Sequence, residues 1–217
     1  MNELLVRSLT GVILIALALL VAVKGGMLLA VLVAAIATLM FYEWTRLVKG
    51  WGPVWYISGF FYALLPALAL LWIRERTPID LPSSERGLSL LVWVFIVTWS
   101  TDIGAYFAGR SFGKRKLAPS ISPNKTFEGL YGGIAAATLL GGGWVLATHL
   151  GLPLLALAPV LAIAAQAGDL FESRMKRRAG VKDSGHWLPG HGGALDRLDG
   201  LVPVAVLTAA AQLAGLS

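Results

Sequence analysis

The chain has 217 residues, 57% of them hydrophobic and 14% charged, with a formal net charge of +6 and no cysteine. A soluble domain carries about 25% charged residues, so an ordinary water-soluble fold is excluded, as are disulfides and thiolate metal sites. The positive charge does not imply a nucleic-acid partner, because Lys and Arg sit in short connections between apolar runs, where membrane orientation accounts for them.

A helix needs about 20 apolar residues to cross the hydrocarbon core. Seven runs qualify in chain order: 8–23, 27–48, 54–73, 88–109, 127–148, 152–171 and 200–216. The first ends in VAVKGG without a small-x-small cleavage site, and another apolar run follows at once, so it reads as a retained helix. The last is short and contains Pro203. The predicted fold is all-α: one polytopic membrane domain over 1–217, a bundle of about seven transmembrane helices. Its N-terminal spans cover 8–73, and a catalytic half covers 88–217 with loops at 110–126 and 172–199. Gly132, Gly133 and Gly141 to Gly143 lie in the fifth run, where small residues let helices approach closely.

Loop charge predicts the orientation. With the N-terminus inside, the inner segments hold Arg7, Arg46, Lys49, Arg110, Lys114, Arg115, Lys116, Lys125, Arg174, Lys176, Arg177, Arg178, Lys182 and Arg197. The outer segments hold only Lys24, Arg74, Arg76 and Arg86. That bias puts the N-terminus and both polar loops on the cytoplasmic side. The expected location is integral to a membrane of the bacterial inner-membrane type, with the C-terminus outside.

The earlier polar loop follows the fourth run. Asp102 lies inside the apolar stretch, where an ionisable group is costly and faces either a watery cavity or a structural cation; among intramembrane charges it is the clear candidate. Ser122-Pro123-Asn124-Lys125-Thr126 reads as a helix start, with Ser122 as cap and Pro123 at the first helical position. Such a terminus offers amide N–H groups to an anion, with Lys125 and Thr126 adding a cation and a hydroxyl. The alternative is a plain cap beside a snorkelling lysine. No GxxxxGK[ST] sequence occurs, which excludes a P-loop.

The later loop, Ser173 to Asp199, reads SRMKRRAGVKDSGHWLPGHGGALDRLD. Asp169 and Glu172 precede or open it, and Asp196 and Asp199 close it; each pair is spaced by three, which puts both members on one helix face. If the two helix ends adjoin, up to four carboxylates converge, and a divalent cation such as Mg²⁺ is the natural stabiliser. Salt bridges to Arg197 and the basic run are the alternative reading. Lys176, Arg177, Arg178 and Lys182 suit phosphates or anionic lipid, with Arg178 better read as an anchor. His186 and His191 beside glycines make a poor zinc site and suit turns or phosphate contacts.

These residues resemble a known signature. Ser173-x-Met175-Lys176-Arg177, Lys182-Asp183-x-Gly185, Leu188-Pro189-x-His191-Gly192-Gly193 and Asp196-Arg197-Leu198-Asp199 are similar to the pattern of phosphatidate cytidylyltransferases (CDP-diacylglycerol synthases). Asp102-x-x-Ala105-Tyr106-Phe107-x-Gly109-Arg110 and Ser122-Pro123-Asn124-Lys125-Thr126-x-Glu128-Gly129 resemble it too. The likeness covers the C-terminal half; the N-terminal runs match only in being hydrophobic, and the chain is shorter than many members.

The resemblance implies transfer of a cytidylyl group from CTP to phosphatidate within membrane lipid, giving CDP-diacylglycerol and pyrophosphate, with Mg²⁺ and room for a second cation. A homodimer is one arrangement it leaves open. The implied roles give Asp169, Asp196 and Asp199 to the metal, with Glu172 a further candidate. Ser122, Asn124, Lys125 and Thr126 would bind triphosphate. Lys176, Arg177, Lys182 and Arg197 would neutralise phosphatidate and pyrophosphate, with Lys182, Arg197, Asp196 and Asp199 at the chemistry. His191, Gly192 and Gly193 would form a backbone cradle. The competing readings are a CTP-dependent kinase of a polyprenol-type lipid, and a transporter; the latter calls for polar groups at mid-span and broken helices.

Overall fold

Lipid leaves no water to satisfy backbone groups, so an apolar run long enough to span must close its hydrogen bonds within itself. The computed structural model of this protein, which describes residues 3–75, 83–185, 187 and 192–216, shows helices at each predicted run. They are α1 (Glu3–Lys24), α2 (Gly26–Leu47), α3 (Pro53–Glu75), α4 (Ser83–Phe112), α5 (Phe127–Ala147), α6 (Pro153–Arg178), the single turn α7 (Leu195–Leu198) and α8 (Leu201–Leu213). Helices α2 to α6 are long and apolar enough to cross a membrane. The fold is that of an all-α polytopic membrane protein.

Two lengths depart from expectation. Helix α8 has 13 residues, and at about 1.5 Å per residue it reaches only about 20 Å, short of a core of about 30 Å. The predicted span 200–216 is thus a short apolar helix following the α7 turn. Helix α6 instead runs on past the predicted end to Arg178, so Glu172, Lys176 and Arg177 belong to a helix rather than to a loop.

Helices α4 and α5 form the tightest seam of the bundle. A Cβ on Gly132 would lie 2.2 Å from Ala108 Cβ and 2.9 Å from the Gly104 carbonyl oxygen, so the small residues of α5 do what their spacing predicts. Two indoles, Trp93 buried and Trp144 half-buried, lock the seam: Trp93 Nε1 donates to the Gly141 carbonyl at 3.1 Å, and Trp144 Nε1 donates to the Ser89 carbonyl at 2.9 Å. A second core gathers Met40, Trp44, Leu47, Met175 and Leu195, and Trp44 stacks near Tyr62 and Phe171. That core ties α2 and α3 to the end of α6 and to α7.

The predicted helix start at Ser122 is not a helix. Ser122–Thr126 is strand β2, antiparallel to β1 (Lys116–Ala118), with Lys116 opposite Thr126 and Ala118 opposite Ser122. Proline disfavours the helical region for Ser122, and in a two-stranded ribbon it need not supply a ladder donor. Helix α5 begins one residue beyond the strand, capped by Thr126, whose Oγ1 accepts from the Gly129 amide at 3.0 Å. The cap therefore exists, four residues later than the Ser-Pro pair suggests.

Candidate active site

The hairpin lies over one end of the bundle and closes a cavity of about 700 Å³, a volume that suits a nucleotide-sized ligand. Helix α4 contributes Asp102, Tyr106 and Arg110 to its wall. The hairpin contributes Lys116, Asn124, Lys125 and Thr126; α6 contributes Gln166 and Asp169; the α7 turn contributes Asp196, Arg197 and Asp199. The arrangement joins both polar loops at one place, with cations and carboxylates lining the same space.

Lys125 is the hinge between them. Its Nζ lies 2.6 Å from Asp169 Oδ2 and donates to Gln166 Oε1 at 3.0 Å. Gln166 Nε2 in turn donates to Asp102 Oδ1 at 3.3 Å. A buried amide thus links a hairpin cation to a carboxylate within α4. Asp102 faces the cavity, the first of the two alternatives its position allows.

Asp169 meets Asp199 because a glycine precedes it. A Cβ on Gly168 would lie 2.4 Å from the Asp199 carbonyl oxygen and 2.9 Å from Pro203 Cγ, so only a bare backbone lets α6 approach the α7–α8 corner this closely. Burial first, and the Asp169 carboxylate second, push the Asp199 carboxyl up to about 7. Asp199 Oδ1 accepts from the Gly200 amide at 2.7 Å. Carboxylate oxygens are the donor type a divalent cation uses, but Lys125 already pairs with Asp169, and no cluster of three or more such ligands stands together among the described residues.

Asp196 has different surroundings. Its carboxylate accepts from Lys176 Nζ at 2.6 Å, the Ser184 amide at 2.9 Å and the Gly193 amide at 2.7 Å, and Ser184 Oγ lies 3.0 Å away. Burial opposes its charge, yet Lys176 and the Gly193 amide together hold its carboxyl below the ordinary value. Lys176 also pairs with the buried Glu172 at 2.6 Å. This cluster fastens the loop to α6.

The remaining sequence candidates divide by position. Of the four carboxylates expected to converge, Asp169, Asp196 and Asp199 line the cavity and Glu172 is buried beside Lys176. Arg177 donates to the Ile121 carbonyl at 3.3 Å and to the Val181 carbonyl at 3.1 Å, bracing the hairpin tip against the end of α6. Arg178 stacks over Trp51 and Trp55, 4.2 Å and 5.0 Å from their ring centroids. Lys182 is exposed, and Ser122 sits at the start of β2 outside the cavity wall. The Gly193 amide is already given to Asp196, and Gly192 adopts a positive φ of 80° against the same carboxylate. His186 and His191 lie outside the described residues.

Two participants were not anticipated. Gln166 carries no charge, and only its placement within an apolar run marked it. Glu43 is fully buried in α2, so Asp102 is not alone as an intramembrane carboxylate. The cost of an ionisable group inside a span is the signal that could have found it.

Residues 52–213 match the model of the cytidylyltransferase family. The chain belongs to the cytidylyltransferase family. It is 45% identical over 195 residues to the phosphatidate cytidylyltransferase of Brucella suis biovar 1 (strain 1330), covering 85% of this chain and 65% of that protein. It is 41% identical over 189 residues to the phosphatidate cytidylyltransferase of Pseudomonas aeruginosa, covering 85% and 67%. With the phosphatidate cytidylyltransferase of Bacillus subtilis (strain 168) the identity is 52% over 118 residues, 53% of this chain and 44% of the relative. This cytidylyltransferase-family chain therefore spans slightly less than two thirds of the length of the Brucella relative.

Proposed function

We propose that this protein transfers a cytidylyl group from CTP to phosphatidate, forming CDP-diacylglycerol and releasing pyrophosphate. The observation that carries the reading is the cavity itself, which joins Arg110, Lys116, Lys125 and Arg197 to Asp102, Asp169 and Asp199 at the end of a membrane bundle. Family membership and the names of the relatives support the same reaction.

The chemistry explains the residue types. A phosphate oxygen of phosphatidate attacks the α-phosphorus of CTP, and the bond from that phosphorus to the oxygen bridging to the β-phosphate breaks. The nucleophile is already ionised near neutral pH, so no strong base is needed. Repulsion between two anions is the barrier, and fixed cations lower it while holding attacking and leaving oxygens in line. Lys125, Lys116 and Asn124 would hold the triphosphate on the hairpin. Arg110 and Arg197 would neutralise charge on the lipid phosphate and the departing pyrophosphate, with the exposed Lys182 drawing the headgroup inward. Thr126 keeps the hairpin in register by capping α5.

Asp199 fits a divalent cation best, since it lines the cavity and burial opposes its charge; Asp169 would join it once a phosphate draws Lys125 away. Asp196 fits it less well, with its oxygens committed to Lys176, Ser184 and Gly193. Bound there, Mg²⁺ would supply charge neutralisation for the phosphates. We place the cavity and the N-terminus on the cytoplasmic side, as the loop charges favour; a dimer is left to measurement of the detergent-solubilised mass.

Detergent-purified protein incubated with phosphatidate and CTP labelled at the α-phosphate tests the reading. Label entering the lipid fraction with Mg²⁺, and release of pyrophosphate, are expected. Lipid labelled only from γ-labelled CTP would make the protein a kinase instead. For orientation, a cysteine placed at Lys182 in this cysteine-free chain should react with an impermeant maleimide only in inside-out vesicles.

A further inference from the structure

Glu43 stands in the last turns of α2, yet its carboxylate serves the opposite end of the sequence. Its Oε1 accepts the Ala194 amide at 2.9 Å; its Oε2 accepts the Leu195 amide at 2.9 Å and Ser184 Oγ at 2.9 Å. The side chain is fully buried, so each of these contacts replaces water that the carboxylate gave up. Two glycines make the fit possible. A Cβ on Gly193 would lie 2.5 Å from Glu43 Oε2 and 2.2 Å from Ser184 Oγ, and a Cβ on Gly185 would lie 2.6 Å from Glu43 Oε1. Ser184, Gly185 and Gly193 thus close around an internal carboxylate.

We propose that Glu43 is a positioning residue of the active site, an anchor in the membrane helix that sets where the Asp196–Asp199 turn presents its side chains. Ser184 Oγ stands between two carboxylates, 2.9 Å from Glu43 and 3.0 Å from Asp196. The chain of contacts runs from α2 through Ser184 to Asp196, then through Lys176 to α6. The amides of Ala194 and Leu195 open the α7 turn, and Asp199 closes it. Fixing the amides at the start therefore fixes the reach of Arg197 and Asp199 into the cavity. The role rests on the cytidylyl-transfer reading, but the anchor itself is a statement about the loop alone.

Glu43→Gln keeps the shape and replaces one acceptor by a donor, which sets an N–H against the Ala194 or Leu195 amide. Two readouts follow from it. A nitroxide on Asp183→Cys, the one thiol in an otherwise cysteine-free chain, should sharpen its spectrum when Glu43→Gln releases the loop. Turnover per folded molecule should fall by about 100-fold, as a small misplacement of reacting groups costs. Adding Ser184→Ala to Glu43→Gln should cost less than the sum of the two single changes, since they share the Ser184–Glu43 contact.

Unchanged mobility overturns the anchor. Raised mobility with wild-type turnover overturns its role in positioning. If the parent protein transfers no cytidylyl group, the functional reading fails, and mobility alone still decides the anchor. Should Glu43→Gln not survive purification, Glu43→Asp, which keeps the charge but withdraws the oxygens from the Ala194 and Leu195 amides, carries both readouts, with the same outcomes supporting or overturning the proposal.

Discussion

Lys125 Nζ and Asp169 Oδ2 sit 2.6 Å apart, one on a hairpin strand and the other near the end of α6. The pair joins two stretches of sequence that each look ordinary alone. It also gives the cation a defined position before any substrate arrives, because Gln166 holds it from the other side.

Replacing Lys125 by Met should lower cytidylyl transfer by about 100-fold or more, the scale for losing one fixed charge at a developing anion. Membrane insertion and helical content should not change, since the side chain bonds only within the cavity. Steady-state kinetics with varied CTP will check it. A Lys125→Met protein with normal kcat/KM would remove the hairpin from the nucleotide site.

Gly168→Ala tests the approach of α6 to the α7–α8 corner. The new methyl meets the Asp199 carbonyl oxygen at 2.4 Å, so either Asp199 moves or the helix does. Overpacking of this kind costs about 1–3 kcal/mol. A lower melting temperature in detergent, with a larger loss of activity than of folded protein, is the expected result.

Asp199 makes stability depend on pH in metal-free protein. Burial first, and the Asp169 carboxylate second, raise its folded carboxyl above the ordinary value of about 4 that it has when unfolded. Between the unfolded and folded values the folded state holds the extra proton, so stability falls as pH rises from about 4 to about 7. Melting curves in EDTA should show this slope, and Asp199→Asn should flatten it. Saturating Mg²⁺ should also flatten it by favouring the ionised form. A slope of opposite sign would contradict the placement of Asp199 beside Asp169.

The α4–α5 seam predicts a contrast within one helix. Gly132→Val inserts bulk where a single Cβ already meets Ala108 at 2.2 Å, whereas Gly143 has nothing within 4 Å of a Cβ. The first substitution should leave little folded protein after solubilisation. Gly143→Ala should melt close to the parent. Fluorescence-detected gel filtration of the two variants will separate them.

The apolar runs were legible because a bilayer imposes one local solution on the backbone, and every run from 8–23 to 152–171 became a helix. The carboxylates Asp169, Asp196 and Asp199 were legible through their spacing and the charge around them. The hairpin was not. Ser122-Pro123 carries the local signals of a helix cap, while strand pairing with Lys116–Ala118 is decided by residues elsewhere in the chain. Glu43 was hidden for a similar reason: a lone carboxylate among Phe41, Tyr42 and Trp44 gives no hint that its partners lie at Ser184, Ala194 and Leu195.

Arg177 bonds the hairpin tip at Ile121 and the chain after α6 at Val181 with one guanidinium. The hairpin tip and the end of α6 are therefore clasped together, so a push on one drags the other and the two shift as a unit.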